Sequence, residues 1–239
     1  MKKHHNTAAE NNLQIDSSLR FQISEAYKLA RTNLMFSLLK EGCKKIVVSS
    51  SVSGEGKTTT AVHLAISLAQ MNARVLLIDA DLRKPKVNQF FSFNNTPGLT
   101  NYFGHQFELQ KILHNTDYDS LSVICSGVMV PNPSELLASE KMTALLAELE
   151  SQYDYIVIDT PPVNIVADAL PLVKQCDGVV LVVRRGFSTY PELNKTIKNL
   201  EMINAKILGV IFNSAASGGK GNYRYGNGKY GYGYGNYGY

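Results

Sequence analysis

The sequence predicts an α/β fold, a mostly parallel sheet with helices on both faces, and two observations carry that expectation. Short, continuously apolar runs (Ile46–Val48, Leu76–Ile78, Ile156–Ile158, Val179–Val183) alternate with stretches of helical periodicity. Strands that are apolar on both sides belong in a parallel sheet covered twice. Two of the runs end in a carboxylate, Asp79 and Asp159, at the strand edge where ligands of such sheets bind. A chain of 239 residues, 44% hydrophobic, is long enough for one such domain with a well-buried core.

Taken in order, residues 1–16 are polar and expected to be disordered. From Leu19 to Leu39, the residues Phe21, Ile23, Ala26, Leu29, Ala30, Leu34 and Leu38 recur at helical spacing and predict an amphipathic helix. Lys44–Ser50 reads as a buried strand, Ala61–Met71 as a helix and Arg74–Asp79 as a second strand. Gly98–Leu113 reads as loop then helix, and Leu121–Cys125 as a strand. After a turn-rich stretch, Asn132 is placed to cap a helix, with Pro133 at its first position, that runs to about Glu150. Strands at Tyr155–Asp159, Gly178–Val183 and Ile207–Phe212 complete the sheet, with a helix at Leu193–Ile203. The expected division is a polar stretch 1–16, a folded domain 17–213 and a Gly/Tyr-rich segment 214–239.

Composition excludes several classes. Cys43, Cys125 and Cys176 form no CxxC or Cys/His cluster, which argues against a zinc ribbon or a disulfide framework and fits a reducing cytosol. The five histidines show no metal-ligand spacing. The N-terminus lacks the apolar stretch of a secretory signal, and no run approaches the roughly 20 apolar residues of a membrane span. Membrane association is therefore expected through a partner. Net charge is +4, of which Lys220, Arg224 and Lys229 supply +3 in an acid-free segment, leaving the rest near neutral. That is a poor nucleic-acid binder.

The chemistry concentrates after the first strand. Ser51-Val52-Ser53-Gly54-Glu55-Gly56-Lys57-Thr58 matches the phosphate-loop pattern except that Ser51 stands where the first glycine usually is. Gly54 and Gly56 let successive N–H groups curl round a phosphate at a helix N-terminus. Lys57 offers a charge for the β- and γ-phosphates, and the Thr58 hydroxyl can ligate Mg²⁺. Ser53, Glu55 and Thr59 complete the expected nucleotide-binding set. Asp79 and Asp81 on one strand end and Asp159 on another are candidates for Mg²⁺ and for a catalytic base. An isolated strand-end aspartate often only caps a turn; two beside a phosphate loop form a site.

These residues resemble a known family. The phosphate loop, Leu76–Arg83 (Leu-Leu-Ile-Asp-Ala-Asp-Leu-Arg) and Ile158–Pro162 (Ile-Asp-Thr-Pro-Pro) look like the Walker A, A′ and B motifs of bacterial tyrosine kinases, the cytoplasmic catalytic subunits that govern capsule and exopolysaccharide synthesis. Pro131–Leu137 looks like the start of a helix in that family. The resemblance spans roughly Ser24 to Tyr239 and implies a P-loop NTPase fold, ATP and Mg²⁺ as cofactors, Asp79 as base for the tyrosine hydroxyl, and Asp81 and Asp159 near the metal. It further implies a transmembrane adaptor of the polysaccharide chain-length-determinant type, recruitment to the inner face of the membrane, a cognate tyrosine phosphatase, and self-association into a ring. The family's ring-forming Glu-x-x-Arg-x-x-Arg pattern reads here Glu25-Ala26-Tyr27-Lys28-Leu29-Ala30-Arg31, with lysine for the first arginine. The plainer reading of Glu25, Lys28 and Arg31 is solvated charge on a helix.

Residues 214–239 hold seven tyrosines, Tyr223, Tyr225, Tyr230, Tyr232, Tyr234, Tyr237 and Tyr239, among glycine and asparagine. Ordering such a stretch costs about 1–2 kcal/mol per residue, so flexibility is expected. Its resemblance to the family's acceptor cluster makes it the expected phosphoacceptor; a sticky low-complexity or RNA-contacting segment is the rival reading. Asn213 either contacts the nucleotide base or serves a turn, and Arg184 and Arg185 either hold anions or are solvated. Two other functions compete, a positioning or partition-type ATPase cycling between monomer and dimer and a nucleotide-gated scaffold. Those ATPases carry a signature lysine five residues before the loop lysine, where this chain has Val52.

Overall fold

A computed structural model describes residues 17–213. The disorder expected for 1–16 and the acceptor segment 214–239 with its seven tyrosines lie outside the described residues. The elements are α1 (Ser17–Ser37), β1 (Lys44–Ser50), α2 (Lys57–Ala69), β2 (Val75–Asp79), α3 (Val87–Phe90), α4 (Leu99–Phe103), α5 (Leu109–Ile112), β3 (Leu113–Asn115), β4 (Leu121–Ile124), α6 (Pro133–Leu137), α7 (Glu140–Glu150), β5 (Tyr155–Asp159), α8 (Ala169–Gln175), β6 (Gly178–Arg184), α9 (Tyr190–Met202) and β7 (Ile207–Asn213). The strands form one sheet in the order β3-β4-β2-β5-β1-β6-β7. Every pairing is parallel except β3 with β4.

Alternation along the strands feeds two cores, one on each face. Leu76, Ile78, Ile156, Ile158, Val179 and Leu181 point to one, shared with α7 through Met142, Leu145, Leu146 and Leu149. Val75, Leu77, Val157, Val180 and Val182 point to the other, packed under α2 through Ala61, Leu64, Ala65 and Leu68. All are almost fully buried, and burying one Leu, Ile or Val contributes roughly 1.5–3 kcal/mol.

Register builds the site. β2 pairs with β5 so that Asp79 faces Asp159, and Val48 of β1 faces Asp159 from the other side. Neighbouring strands lie about 4.8 Å apart. The phosphate loop leaving β1 thus opens beside both carboxylates.

The structure departs from the sequence reading in six places. The loop then helix expected over Gly98–Leu113 is two short helices, α4 and α5, with Leu113 already in β3. α2 begins at Lys57 rather than Ala61, because the loop passes straight into the helix. The helix expected from Pro133 to Glu150 is two, since Ser139 accepts a hydrogen bond from Met142 N and starts α7 afresh. Asn132 makes no capping hydrogen bond; its amide donates to Glu135 Oε2 (3.3 Å). α3, α8 and the antiparallel edge strand β3 are too short to show a period. Finally, the apolar stripe of α1 is only partly used. Leu34 and Leu38 are buried, whereas Phe21 and Leu29 are exposed.

Candidate nucleotide-binding site

Gly54 and Gly56 adopt φ of +89° and +91°, a region that L side chains enter only with strain. This turns the loop over the N-terminus of α2. Glu55, between them, is fully buried and faces inward. Its Oε2 accepts from Ser51 N (2.8 Å) and Val52 N (2.9 Å), and its Oε1 from Arg184 N (3.2 Å) and Ser188 Oγ (2.5 Å). The Glu55 side chain therefore braces the loop from beneath.

Above the loop lies a cavity of about 470 Å³, lined by Ser53, Gly54, Gly56, Lys57, Thr58, Thr59, Asp81 and Asn213, with Arg83, Lys84, Lys86 and Arg184 adding positive charge. Seven of the eight expected nucleotide-binding residues meet there, Glu55 being the exception. Lys57 Nζ sits 2.7 Å from Asp81 Oδ2 and 3.8 Å from Asp159 Oδ1. Burial works to lower the Lys57 pKa, but Asp159 and Asp81 outweigh it and the ammonium is held more firmly than usual.

The three aspartates differ. Asp81 lines the cavity and accepts from Lys84 N (3.1 Å). Asp79 is fully buried; its Oδ1 accepts from Asp81 N (3.2 Å) and its Oδ2 from Lys86 N (3.1 Å) and Val87 N (3.0 Å), so it holds the turn into α3. Asp159 is fully buried, and neither of its oxygens has a hydrogen-bond partner. Burial, then the neighbouring Asp159, pushes the Asp79 carboxyl well above its usual range. Burial likewise raises Asp159, against the pull of Lys57. Two adjacent buried acids with raised pKa values favour a nearby cation.

The donor set fits Mg²⁺. Among the described residues no three His, Cys, Asp or Glu side chains form a metal cage, but Mg²⁺ takes one or two carboxylates and completes its shell with water and phosphate oxygens. Thr58, Asp81 and Asp159, whose oxygens make no close hydrogen bond, supply such a set.

Sequence reasoning missed a second layer. Arg83, at the cavity wall, donates from Nε (2.6 Å) and an Nη (3.2 Å) to the carboxylate of Asp168, which also accepts from Ser134 Oγ. Asp168 precedes α8 and in sequence looks like an ordinary helix-start aspartate. The end of β6 and the segment after it cover the loop: Arg184 donates to Gly54 O (3.0 Å) and lies 4.0 Å over the Phe187 ring. Asn213 Nδ2 donates to Glu55 O (3.0 Å), so it ties the last strand to the phosphate loop. Arg185 does not line the cavity.

The candidate subunit-contact residues lie elsewhere. Glu25 and Lys28 form an exposed pair (2.7 Å) on α1. Arg31 turns inward and donates to Ser67 O (2.5 Å) of α2.

A family model described as an AAA domain matches residues 43–209. Tyrosine-protein kinase YwqD of Bacillus subtilis is 39% identical over 202 residues, 84% of this chain and 85% of that protein. Tyrosine-protein kinase ptk of Acinetobacter johnsonii is 36% identical over 190 residues, and the match covers 79% of this chain but 26% of that longer protein. The kinase domain of Escherichia coli tyrosine kinase ETK superposes with a TM-score of 0.78 at 32% identity, covering 85% of this chain and 80% of that domain. The septum site-determining protein MinD of Pyrococcus horikoshii superposes with a TM-score of 0.61 at 22% identity over 72% of this chain and 70% of that one, which shows the fold alone.

Proposed function

The chain belongs to the bacterial tyrosine-protein kinases, and from that premise we propose that it transfers the γ-phosphoryl group of ATP to tyrosine hydroxyls of its own C-terminal segment. The observation that carries this reading is the Lys57 ammonium, buried beside the cavity between Asp81 (2.7 Å) and Asp159 (3.8 Å).

The N–H groups of Gly54 to Thr59 hold the β- and γ-phosphates at the head of α2, and Lys57 exchanges its aspartate partners for phosphate oxygens. Thr58, Asp81 and Asp159, directly or through water, would hold Mg²⁺, which would neutralise charge on the transferred group. The acceptor oxygen bonds to the γ-phosphorus as the bond to the β-phosphate oxygen breaks, and ADP leaves. A tyrosine hydroxyl has a pKa near 10, so its proton needs a nearby carboxylate. The family resemblance gives that role to Asp79; as the protein stands, Asp79 holds three backbone amides and does not line the cavity, and Asp81 is the carboxylate of the pair that does. Asn213 borders the cavity on the loop side, where the base would lie.

The family relationship also supports a role in capsule or exopolysaccharide synthesis, with a membrane adaptor of the chain-length-determinant type and an opposing tyrosine phosphatase. No helix among the described residues is long and apolar enough to cross a membrane. For self-association, α1 supports the reading by exposing Phe21, Leu29 and Phe36 near the Glu25–Lys28 pair; Arg31 sets the helix against α2.

The test is incubation with ATP, Mg²⁺ and the adaptor's cytoplasmic fragment, followed by mapping of phosphate by mass spectrometry. Phosphate is expected on several of the seven C-terminal tyrosines, and on none in Lys57→Met. ATP hydrolysis without phosphotyrosine would favour a positioning ATPase instead.

A further inference from the structure

On the α2 side of the sheet lies a second cavity, of about 390 Å³. Its walls are the flank of α2 around His63, the segment Phe90 to Phe93, and the turn from Asn115 to Tyr118 between β3 and β4. Phe90 borders both cavities, so they are neighbours across one ring. The floor is aromatic and fixed: Phe91 stacks on Phe93 at 5.7 Å, and Phe93 on His114 at 5.1 Å. The rim is polar, with Asn115 and Asp117 exposed beside the half-exposed Tyr118 ring.

We propose that this groove docks one tyrosine of residues 214–239 while another, further along the segment, is offered to the nucleotide site. The inference rests on the acceptor role assigned to that segment. An aromatic floor under a polar rim matches the apolar body and polar tip of a tyrosine. The segment supplies such rings at two-residue spacing (Tyr223/Tyr225, Tyr230/Tyr232/Tyr234, Tyr237/Tyr239). In an extended chain rings two apart are about 6.6 Å and rings seven apart (Tyr223/Tyr230/Tyr237, Tyr225/Tyr232/Tyr239) about 23 Å from one another, so one can dock at the rim while one further along is presented at the phosphate-loop edge. Charge agrees: the segment carries Lys220, Arg224 and Lys229 and no acid, facing Asp117 in the wall.

The reach is feasible. The segment leaves β7 at the phosphate-loop edge, five strand positions from β4, and the Asn115–Tyr118 turn precedes β4 at the opposite edge; about 24 Å across the sheet and about 26 Å along it is roughly 35 Å. That is somewhat beyond the roughly 25–30 Å root-mean-square span of a Gly-rich chain of 26 residues and well inside its extended length of about 86 Å. A phosphorylated tyrosine brings about −1.5 to −2 charge against Asp117 and an apolar floor. The groove therefore retains unmodified tyrosines and releases modified ones.

The test uses the full chain without nucleotide and a fluorescein-labelled synthetic peptide of residues 221–239, read by anisotropy. Asp117→Lys and Tyr118→Ala lie in an exposed turn, and unchanged affinity for a fluorescent ATP analogue shows that each variant is folded. Each is expected to weaken peptide binding about fivefold to tenfold, the size of one aromatic or close charge contact. The fully tyrosine-phosphorylated peptide is expected to bind at least tenfold more weakly than the unmodified one. Equal peptide affinity in both variants and the parent chain overturns the groove, whether or not phosphorylation proceeds. Variant-sensitive binding in a chain that never phosphorylates the peptide leaves the groove standing and overturns the acceptor reading.

Discussion

Ser51 stands where a phosphate-binding loop ordinarily has glycine, and the turn there is closed by Glu55, whose carboxylate gathers two loop amides, the amide of Arg184 at the end of β6 and the Ser188 hydroxyl. A side chain that sequence alone groups with the nucleotide ligands is in fact an internal brace. Asp168 acts in the same way for Arg83. Burial alone would raise the Asp168 pKa, but Arg83 and Ser134 outweigh burial and hold its carboxyl below the usual range. Its folded pKa is thus lower than the unfolded value near 3.9. The stabilisation is full above that value and lost as pH falls through the folded pKa. Asp168→Asn is expected to cost about 1–2 kcal/mol at pH 7, the lower part of the usual range because the Arg83 side chain is 45% exposed. In urea denaturation the gap from the parent chain should narrow toward pH 3. A gap independent of pH would mean that the ion pair contributes nothing.

At the scale of elements, the junction of β1, the loop and α2 is the part least able to change. Gly56 has φ +91°, and a Cβ there would come within 2.3 Å of Asn213 Nδ2, which is bonded to Glu55 O. Gly56→Ala therefore strains the backbone by roughly 1–3 kcal/mol and displaces the contact joining β7 to the loop. It is expected to lower affinity for a fluorescent ATP analogue at least tenfold; near-parent affinity would show that the loop adapts. The break between α6 and α7 also has a functional consequence. It leaves Ser134 on a short helix of its own, where its hydroxyl meets Asp168. A continuous helix to Glu150, the sequence expectation, is interrupted because Ser139 caps a new start.

For the molecule as a whole, the sheet gathers the reactive groups of the described residues at one edge, and the charge of residues 214–239 bears on the proposed self-association. Phosphorylation of all seven C-terminal tyrosines adds about −10 to −14 charge to a segment that begins at +3. If subunits associate through α1, this charge is expected to separate them. Light scattering at matched salt should give a lower mass for the phosphorylated protein, and equal masses would remove repulsion as the regulator of assembly.

The phosphate loop, the strand-end aspartates and the α/β class were legible in the sequence because each depends on local spacing: glycines two apart, a lysine and threonine at a helix start, apolar runs as long as a strand. What only tertiary structure decided is which groups meet across distance. Register alone sets Asp79 beside Asp159, and folding alone turns Glu55 inward, brings Asp168 to Arg83 and aims Arg31 at α2. Those pairings depend on strand order and on side-chain direction in a closed core, and no local pattern in the chain encodes either.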